Sequence, residues 1–115
     1  MASPSDRALE QIAERQARRR RFNERLAALD PTAEVARFRC ECGLIACGTA
    51  IRLSAEAYAE VRADARRFAV SPDHVLPEAD RLVASRGGWA IIEKRAGVPI
   101  APLAERDVSA PSRRR

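Results

Sequence analysis

The sequence predicts an α+β fold, and three observations lead to that prediction. The first is a long stretch from Ser5 to Leu29 that contains neither glycine nor proline. The second is a set of short downstream segments in which apolar and polar residues alternate, as they do in half-buried strands. The third is that all three cysteines and the only histidine lie between or beside those segments. We therefore expect a long N-terminal helix followed by a small, mostly antiparallel sheet with one helix, stapled by a metal site of three cysteines and one histidine.

The N-terminal segment, residues 1–30, is predicted to be a basic helix. It is rich in Ala, Glu, Gln, Arg and Leu, which favour helix, and Asp30-Pro31 ends it. Its apolar side is interrupted by Arg15 and Arg19. The apolar residues on that side are Ala8, Ile12, Phe22, Leu26 and Leu29. We therefore expect the C-terminal part of the helix to pack on the core, and the N-terminal part to project as an arm.

The compact part is predicted to span residues 35–95. Strands at 35–39 and 49–53 form a hairpin whose turn holds the cysteines, and Ser54 caps a helix that runs to about Ala65. A third strand is predicted at 67–70, and a final hairpin turns at Arg86-Gly87-Gly88. Residues 96–115 contain several prolines and end in three arginines, so a flexible tail is expected there.

The cysteines form a C-x-C-x4-C cluster, and the single histidine follows after a predicted strand, a helix and a second strand. Three thiolates and one imidazole are the donor set of a closed tetrahedral zinc site, in which the metal has a structural role. The predicted ligands are Cys40, Cys42, Cys47 and His74. Glu41 is expected to face outward. The same residues are also compatible with three small core residues and a surface histidine, or with a catalytic zinc for which Glu41 is the only candidate base.

The chain carries a net charge of +5, and Lys94 is its only lysine. An arginine-rich surface favours acidic partners, although the same bias is compatible with genome composition alone. No apolar run approaches the roughly 20 residues that a membrane span requires, and the N-terminus lacks the apolar segment of a signal peptide. We therefore expect a cytoplasmic protein with no membrane contact, in which the cysteines stay reduced and bind metal.

Several motifs together resemble a group of small, functionally uncharacterised bacterial proteins. The group's pattern is F-x-C-E-C, a later C, a helix with E, Y and V-R, and F-x-V before a G-H pair, preceded by an N-E-R-I helix segment. This chain matches with Phe38-Arg39-Cys40-Glu41-Cys42, Cys47, Glu56 to Arg62, Phe68-Ala69-Val70, His74 and Asn23-Glu24-Arg25-Leu26. It differs at Asp73, where the group usually has glycine, and in the spacing of Glu56 and Tyr58. The resemblance implies the zinc module and implies no activity.

Two functions are predicted from these features. The first is a non-enzymatic binding or regulatory module that binds nucleic acid through the basic helix, at Arg18, Arg19, Arg20 and Arg21, and through the arginine tail. The alternative is a protein-interaction adaptor that uses the helix to bind an acidic partner or a second copy, with zinc thiolates that respond to oxidation. An enzyme is not expected, because the only histidine is assigned to the metal and no nucleophile and base pair remains.

Overall fold

The computed structural model describes residues 4–97, and its elements follow the predicted order. They are α1 (Pro4–Leu29), β1 (Ala36–Arg39), β2 (Ala50–Leu53), α2 (Ala55–Arg62), β3 (Arg67–Val70), a 3-10 helix (Pro72–His74), β4 (Asp80–Ser85) and β5 (Ala90–Lys94). The predicted α+β class with its long N-terminal helix is confirmed. The expected tail falls mostly on residues 98–115, which lie outside the described residues.

Local signals account for the element boundaries. The helix α1 ends before Asp30-Pro31, where the Asp30 N–H still donates to the Ala27 carbonyl. Ser54 caps α2, because its Oγ accepts a hydrogen bond from the Ala57 N–H at 2.9 Å. In the second hairpin the turn contains Gly87, whose φ of 80° is the left-handed region that glycine adopts without strain.

The strands form two antiparallel sheets rather than the single sheet expected. One sheet pairs β1 with β2, and the other has the order β3-β5-β4. The chain joins them just after β1: the Cys40 N–H donates to Thr49 O in the first hairpin, and the Glu41 N–H donates to Ala69 O in β3. The segment that carries the first two cysteines therefore bridges the two sheets.

The core lies where these two sheets meet α2. Phe38 and Tyr58 stack with ring centroids 4.7 Å apart, and both are fully buried. The other large apolar residues of this core are Ile51, Leu53, Val61, Phe68, Val70, Trp89, Ile91 and Ile92. None of the helices within residues 4–97 combines the length and the hydropathy that a bilayer crossing requires.

Helix α1 packs on the two sheets and their core along much of its length. The prediction that its N-terminal part projects as an arm is therefore wrong. Its buried residues are Ile12, Ala13, Gln16, Ala17, Arg20 and Asn23. Phe22 and Leu29, which were expected to dock, are 39% and 82% exposed, and Leu26 is half-buried against the core. The apolar stripe is interrupted in the sequence because half of the residues on the packed face are polar: Gln16, Arg20 and Asn23. These side chains form hydrogen bonds with residues of other elements, and a helical wheel does not show such partners.

Candidate metal centre

The four predicted ligands come together in the folded chain. Cys40 follows β1, Cys42 and Cys47 lie in the loop that leads to β2, and His74 ends the 3-10 helix after β3. One ligand atom from each residue lies within 4.8 Å of all the others. The Nδ1 atom of His74 is 3.4 Å from the Sγ atoms of both Cys40 and Cys47. None of the three cysteines forms a disulfide.

The two sulfur–nitrogen separations match those of a tetrahedral metal site, and all other ligand-atom separations stay within 4.8 Å. Bonds of about 2.3 Å to sulfur and about 2.0 Å to nitrogen, at the tetrahedral angle, place a sulfur and a nitrogen ligand about 3.5 Å apart. Cys40 and Cys42 are buried, whereas Cys47 and His74 are half-buried. The group can therefore hold one ion close to the surface without a large rearrangement of the backbone.

Positive dipoles and charges surround the sulfur atoms. The Ser71 N–H donates to Cys40 Sγ at 3.0 Å, and an Arg19 Nη1 hydrogen points to Cys42 Sγ at 3.6 Å. Arg19 also donates to the carbonyls of Cys42, at 2.6 Å, and of Ile45, at 3.2 Å. Donors of this kind hold ligands in place and offset the negative charge that thiolates bring to a metal centre.

The hydrogen bond between the Cys40 and Cys42 thiols shifts their pKa values in opposite directions. The pKa of Cys42 is lowered from 9.0 to about 5, chiefly because Cys40 hydrogen-bonds to it, and burial opposes that effect. The same hydrogen bond, together with burial, raises the pKa of Cys40 above its usual range. The lowered pKa favours the thiolate form of Cys42. A thiolate is the form that binds metal.

The loop carrying Cys42 lies directly against helix α1. A Cβ atom at Gly43 would clash with Ile12 Cγ2 and would lie 3.2 Å from Ile12 Cα, which cannot move without moving the helix. Arg15 fastens this contact, because its Nε donates to Gly43 O at 2.6 Å. Residues 42–48, which carry Cys42 and Cys47, are called the metal loop below. The two arginines that interrupt the apolar side of the helix, Arg15 and Arg19, thus donate hydrogen bonds to the backbone of the metal loop.

Glu41 points away from the ligands into the protein, and the expectation that it faces outward is wrong. It is 1% exposed and accepts three hydrogen bonds. Oε2 accepts from the Tyr58 hydroxyl at 2.5 Å and from Asn23 Nδ2 at 2.9 Å, and Oε1 accepts from the Ala69 N–H at 3.0 Å. Successive residues of an extended segment point to opposite sides, so ligands at Cys40 and Cys42 place Glu41 on the other face.

Burial dominates the electrostatics of this network. It raises the pKa of Glu41, while the three donors oppose that shift, and it also raises the pKa of Tyr58 well above its usual range. Three donors occupy most of the lone-pair positions of this carboxylate, and its side chain lies on the face of the segment opposite to the ligands. Glu41 is therefore a structural residue that orients the ligand segment, and the catalytic-zinc interpretation loses its only candidate base.

Asn23 ties helix α1 to the same network, and the sequence reasoning gave it no role. Its Oδ1 accepts from the Arg39 N–H at 2.9 Å, and its Nδ2 donates to Arg39 O at 2.8 Å. Asparagine is a poor helix former, so its place in the middle of a long helix was a signal that its side chain has a specific partner. The motif residues Asn23, Glu41 and Tyr58, far apart in sequence, form one buried hydrogen-bonded set.

The four arginines predicted to contact a partner have different environments. Arg18 is exposed, Arg19 and Arg21 are half-buried, and Arg20 is 8% exposed. The guanidinium of Arg20 lies 5.4 Å from the Phe68 ring centroid and caps the end of α2. It donates to the carbonyls of Arg62, Asp64, Ala65 and Arg67. Arg19 and Arg20 are thus engaged within the chain, and partner contact by the group stays a prediction.

A second buried polar cluster joins α1 to the three-stranded sheet. Lys94 Nζ lies 3.2 Å from Asp80 Oδ1 and donates to Gln16 Oε1 at 2.7 Å. Burial lowers the pKa of Lys94, and the charge of Asp80 opposes that shift. Gln16 Nε2 and both Asp80 oxygens are buried with no hydrogen-bond partner among residues 4–97. The only lysine of the chain is therefore an internal group.

Comparison with protein-family models, with curated proteins and with solved structures finds no match for this chain.

Proposed function

We propose that this protein is a small, non-enzymatic nucleic-acid-binding module whose fold is stabilised by one structural zinc ion. The observation that carries the proposal is that all three cysteines and the only histidine of the chain lie in one group, with their four ligand atoms within 4.8 Å of one another. A donor set used up in this way favours a metal that holds structure over one that performs a reaction.

Zinc is the metal that the donor chemistry favours. Three thiolates and an imidazole are soft and borderline ligands, and a tetrahedral arrangement of them suits zinc better than magnesium, calcium or manganese, which prefer oxygen. A site that depends on reduced thiols also favours a reducing compartment, so we propose a cytoplasmic location. Four protein ligands complete the coordination of zinc, and Glu41, the nearest acid in sequence, is directed into the core.

Nucleic acid is the partner that the charge favours. The chain has 21 basic and 16 acidic residues, and nearly all the basic ones are arginines. Arginine binds phosphate through a planar pair of donors and keeps its charge at any physiological pH. Several arginines are used internally, and those left on the surface form the candidate interface that is described below.

The experiment measures metal content and oligonucleotide binding on the same preparation of the full chain. Protein purified without added metal should contain about one zinc per chain. Removal of the ion by a chelator should abolish both the circular dichroism of the compact part and the binding of a labelled oligonucleotide, and added zinc should restore both. Folded protein without metal would contradict the structural site, and metal-loaded protein that binds no oligonucleotide at low salt would contradict the proposed partner.

A further inference from the structure

The exposed face of helix α1 continues onto the outer face of the β1–β2 sheet, and arginines dominate both. On the helix, Arg18 and Arg25 are exposed one turn before and after Phe22. On β1, Arg37 and Arg39 alternate with the buried Phe38 and therefore point outward. These residues, with Arg52 of β2, are called the Phe22 face below.

A direct contact joins the two halves of the Phe22 face. The guanidinium carbon of Arg39 lies 4.6 Å from the centroid of the Phe22 ring, so the two planar groups form a cation–π pair at the surface. Asn23, the next helix residue, holds the backbone of Arg39 with two hydrogen bonds. The stacked pair is therefore fixed to the fold, although the Phe22 ring remains 39% exposed.

Within residues 4–97, no acidic side chain neutralises the positive charge of this face. Arg37 and Arg52 are directly opposite each other in the antiparallel register, an arrangement that destabilises a sheet when both residues have the same charge. Among residues 4–97, none of the five arginines of the Phe22 face has an ion pair with a carboxylate. By contrast, Arg62, Arg67 and Arg81 each pair with a glutamate.

We propose that the Phe22 face binds single-stranded nucleic acid, with phosphates on Arg18, Arg25, Arg37 and Arg52 and a base stacked on the Phe22–Arg39 pair. Unpaired guanidiniums complement a phosphate backbone, and exposed aromatic and guanidinium planes are the surfaces on which unpaired bases stack. An acidic protein would match the charge but would leave the exposed ring without a planar partner. This proposal rests on the proposed function, and it moves the interface from residues 18–21 to a surface shared by helix and sheet.

The test measures the affinity of the full zinc-loaded chain for a labelled oligothymidine of about 12 nucleotides, a length within the site sizes of single-strand binders, at several salt concentrations. The variant Arg37→Ala/Arg52→Ala should bind at least about tenfold more weakly, and its log–log salt slope should be shallower by about 1.4, since each phosphate contact contributes about 0.7. The matched control is Arg81→Ala/Arg86→Ala, which removes the same charge from the second hairpin. It should change affinity by less than about twofold.

A third variant, Phe22→Ala, separates stacking from charge. It should weaken binding about tenfold with an unchanged salt slope, because it removes a stacking surface and no charge. Zinc content and thermal unfolding of each variant check that the fold is intact. Oligonucleotide binding that survives both Phe22→Ala and Arg37→Ala/Arg52→Ala would overturn this interface while the proposed function stands. An equal loss of affinity in the two double variants would also overturn this interface. So would tighter binding of duplex DNA, or of a polyglutamate of equal charge, than of the oligothymidine. Absence of any binding by the unaltered chain would instead refute the proposed function.

Discussion

Glu41 and Asp80 are the two buried acids among residues 4–97, and their surroundings differ. Glu41 accepts hydrogen bonds from a hydroxyl, an amide and a backbone N–H, and no charged group is within those contacts. Asp80 has one cation 3.2 Å away, and neither of its oxygens has a hydrogen-bond partner among the described residues. A buried carboxylate is tolerated when donors replace the water it loses, and an ion pair alone offsets that loss less completely.

The difference indicates what each region contributes. The Glu41 region is built around the metal ligands, and its hydrogen bonds select one orientation of the segment Cys40–Cys42. The Asp80 region connects α1 to β4 and β5 through the buried pair of Asp80 and Lys94. We expect that apolar residues of similar volume can replace this pair. The first region should therefore be sensitive to any change, whereas the second should be sensitive only to changes that leave one charge alone.

The largest effect is expected from loss of a metal ligand. Cys42→Ser or His74→Gln should lower the affinity for zinc and unfold the Glu41 region, because folding free energy there is partly metal-binding free energy. Apparent binding energies of structural zinc sites, roughly 10 to 16 kcal/mol, exceed the stability of most small domains. Circular dichroism and zinc retention measure the effect. Cooperative unfolding of both variants at the temperature of the unaltered protein would show that these residues are not ligands.

The next largest effect concerns the Asp80 region. Lys94→Met alone should cost about 3 to 5 kcal/mol, because it leaves the carboxylate of Asp80 buried without a cation. The triple variant Gln16→Met/Asp80→Val/Lys94→Met should recover most of that loss, since it removes every polar group of the cluster. Urea unfolding of zinc-loaded protein measures both. If the triple variant is less stable than Lys94→Met, the cluster is not replaceable and the contrast with Glu41 fails.

A smaller effect is expected at Glu41 itself. In Glu41→Gln, the new amide must direct its NH₂ group either at the Ala69 N–H or at the Tyr58 and Asn23 donors, so buried donors lose their acceptor. The expected cost is about 3 kcal/mol. The matched control is Glu60→Gln on the exposed side of α2, which makes the same chemical change at the surface and should cost less than about 0.5 kcal/mol. Equal stability of the two variants would mean that the Glu41 hydrogen bonds contribute nothing net.

The smallest of the four effects is expected at Gly43, where the metal loop meets α1. Gly43→Ala should cost about 1 to 2 kcal/mol, because the added methyl group forces the loop away from Ile12. Gly48→Ala in the same loop is the control, since a Cβ there meets no atom within 4 Å and its φ is not positive. The double variant Ile12→Ala/Gly43→Ala should lose less than the sum of its two single changes. Strict additivity would show that the two residues do not touch.

Sequence reasoning predicted most of the elements, and it predicted the grouping of the four candidate metal ligands, because both depend on signals that are visible in the sequence. The segments at 35–39 and 49–53 alternate as half-buried strands do, and Ser54 stands where a cap is needed. The short segment at 67–70, predicted as a third strand, is a strand with three buried residues in succession. Cysteine and histidine are few enough in this chain that their spacing alone predicts a site. The burial of Phe38, Tyr58 and Trp89 likewise follows from their chemistry.

The packing of α1 could not be predicted in the same way, because it depends on polar partners that are distant in sequence. In the sequence, Arg20 cannot be distinguished from the arginines on either side of it. Its burial depends on hydrogen bonds to carbonyl groups at and after the end of α2, which lie more than 40 residues away. Phe22 was expected in the core because it is apolar. In the structure the hydrogen bonds of Asn23 hold the polar side of the helix against the body, which leaves Phe22 at the surface. Glu41 was expected to face solvent because it lies between two ligands, but Asn23 of α1 and Tyr58 of α2 cover the face of the segment that is opposite to those ligands. The position of Asn23 within a helix indicates that its side chain has a partner, but no local pattern in the sequence identifies which residue that partner is.

Native mass spectrometry of the full chain, purified without added metal and compared with Cys42→Ser, tests the central claim most directly. The account predicts that the unaltered chain carries one zinc ion, seen as a mass increase of one zinc less two protons, and that its cysteines resist alkylation until a chelator is added. The variant should carry little zinc and should be alkylated at once. A folded chain that is metal-free and alkylated without chelator would contradict the account.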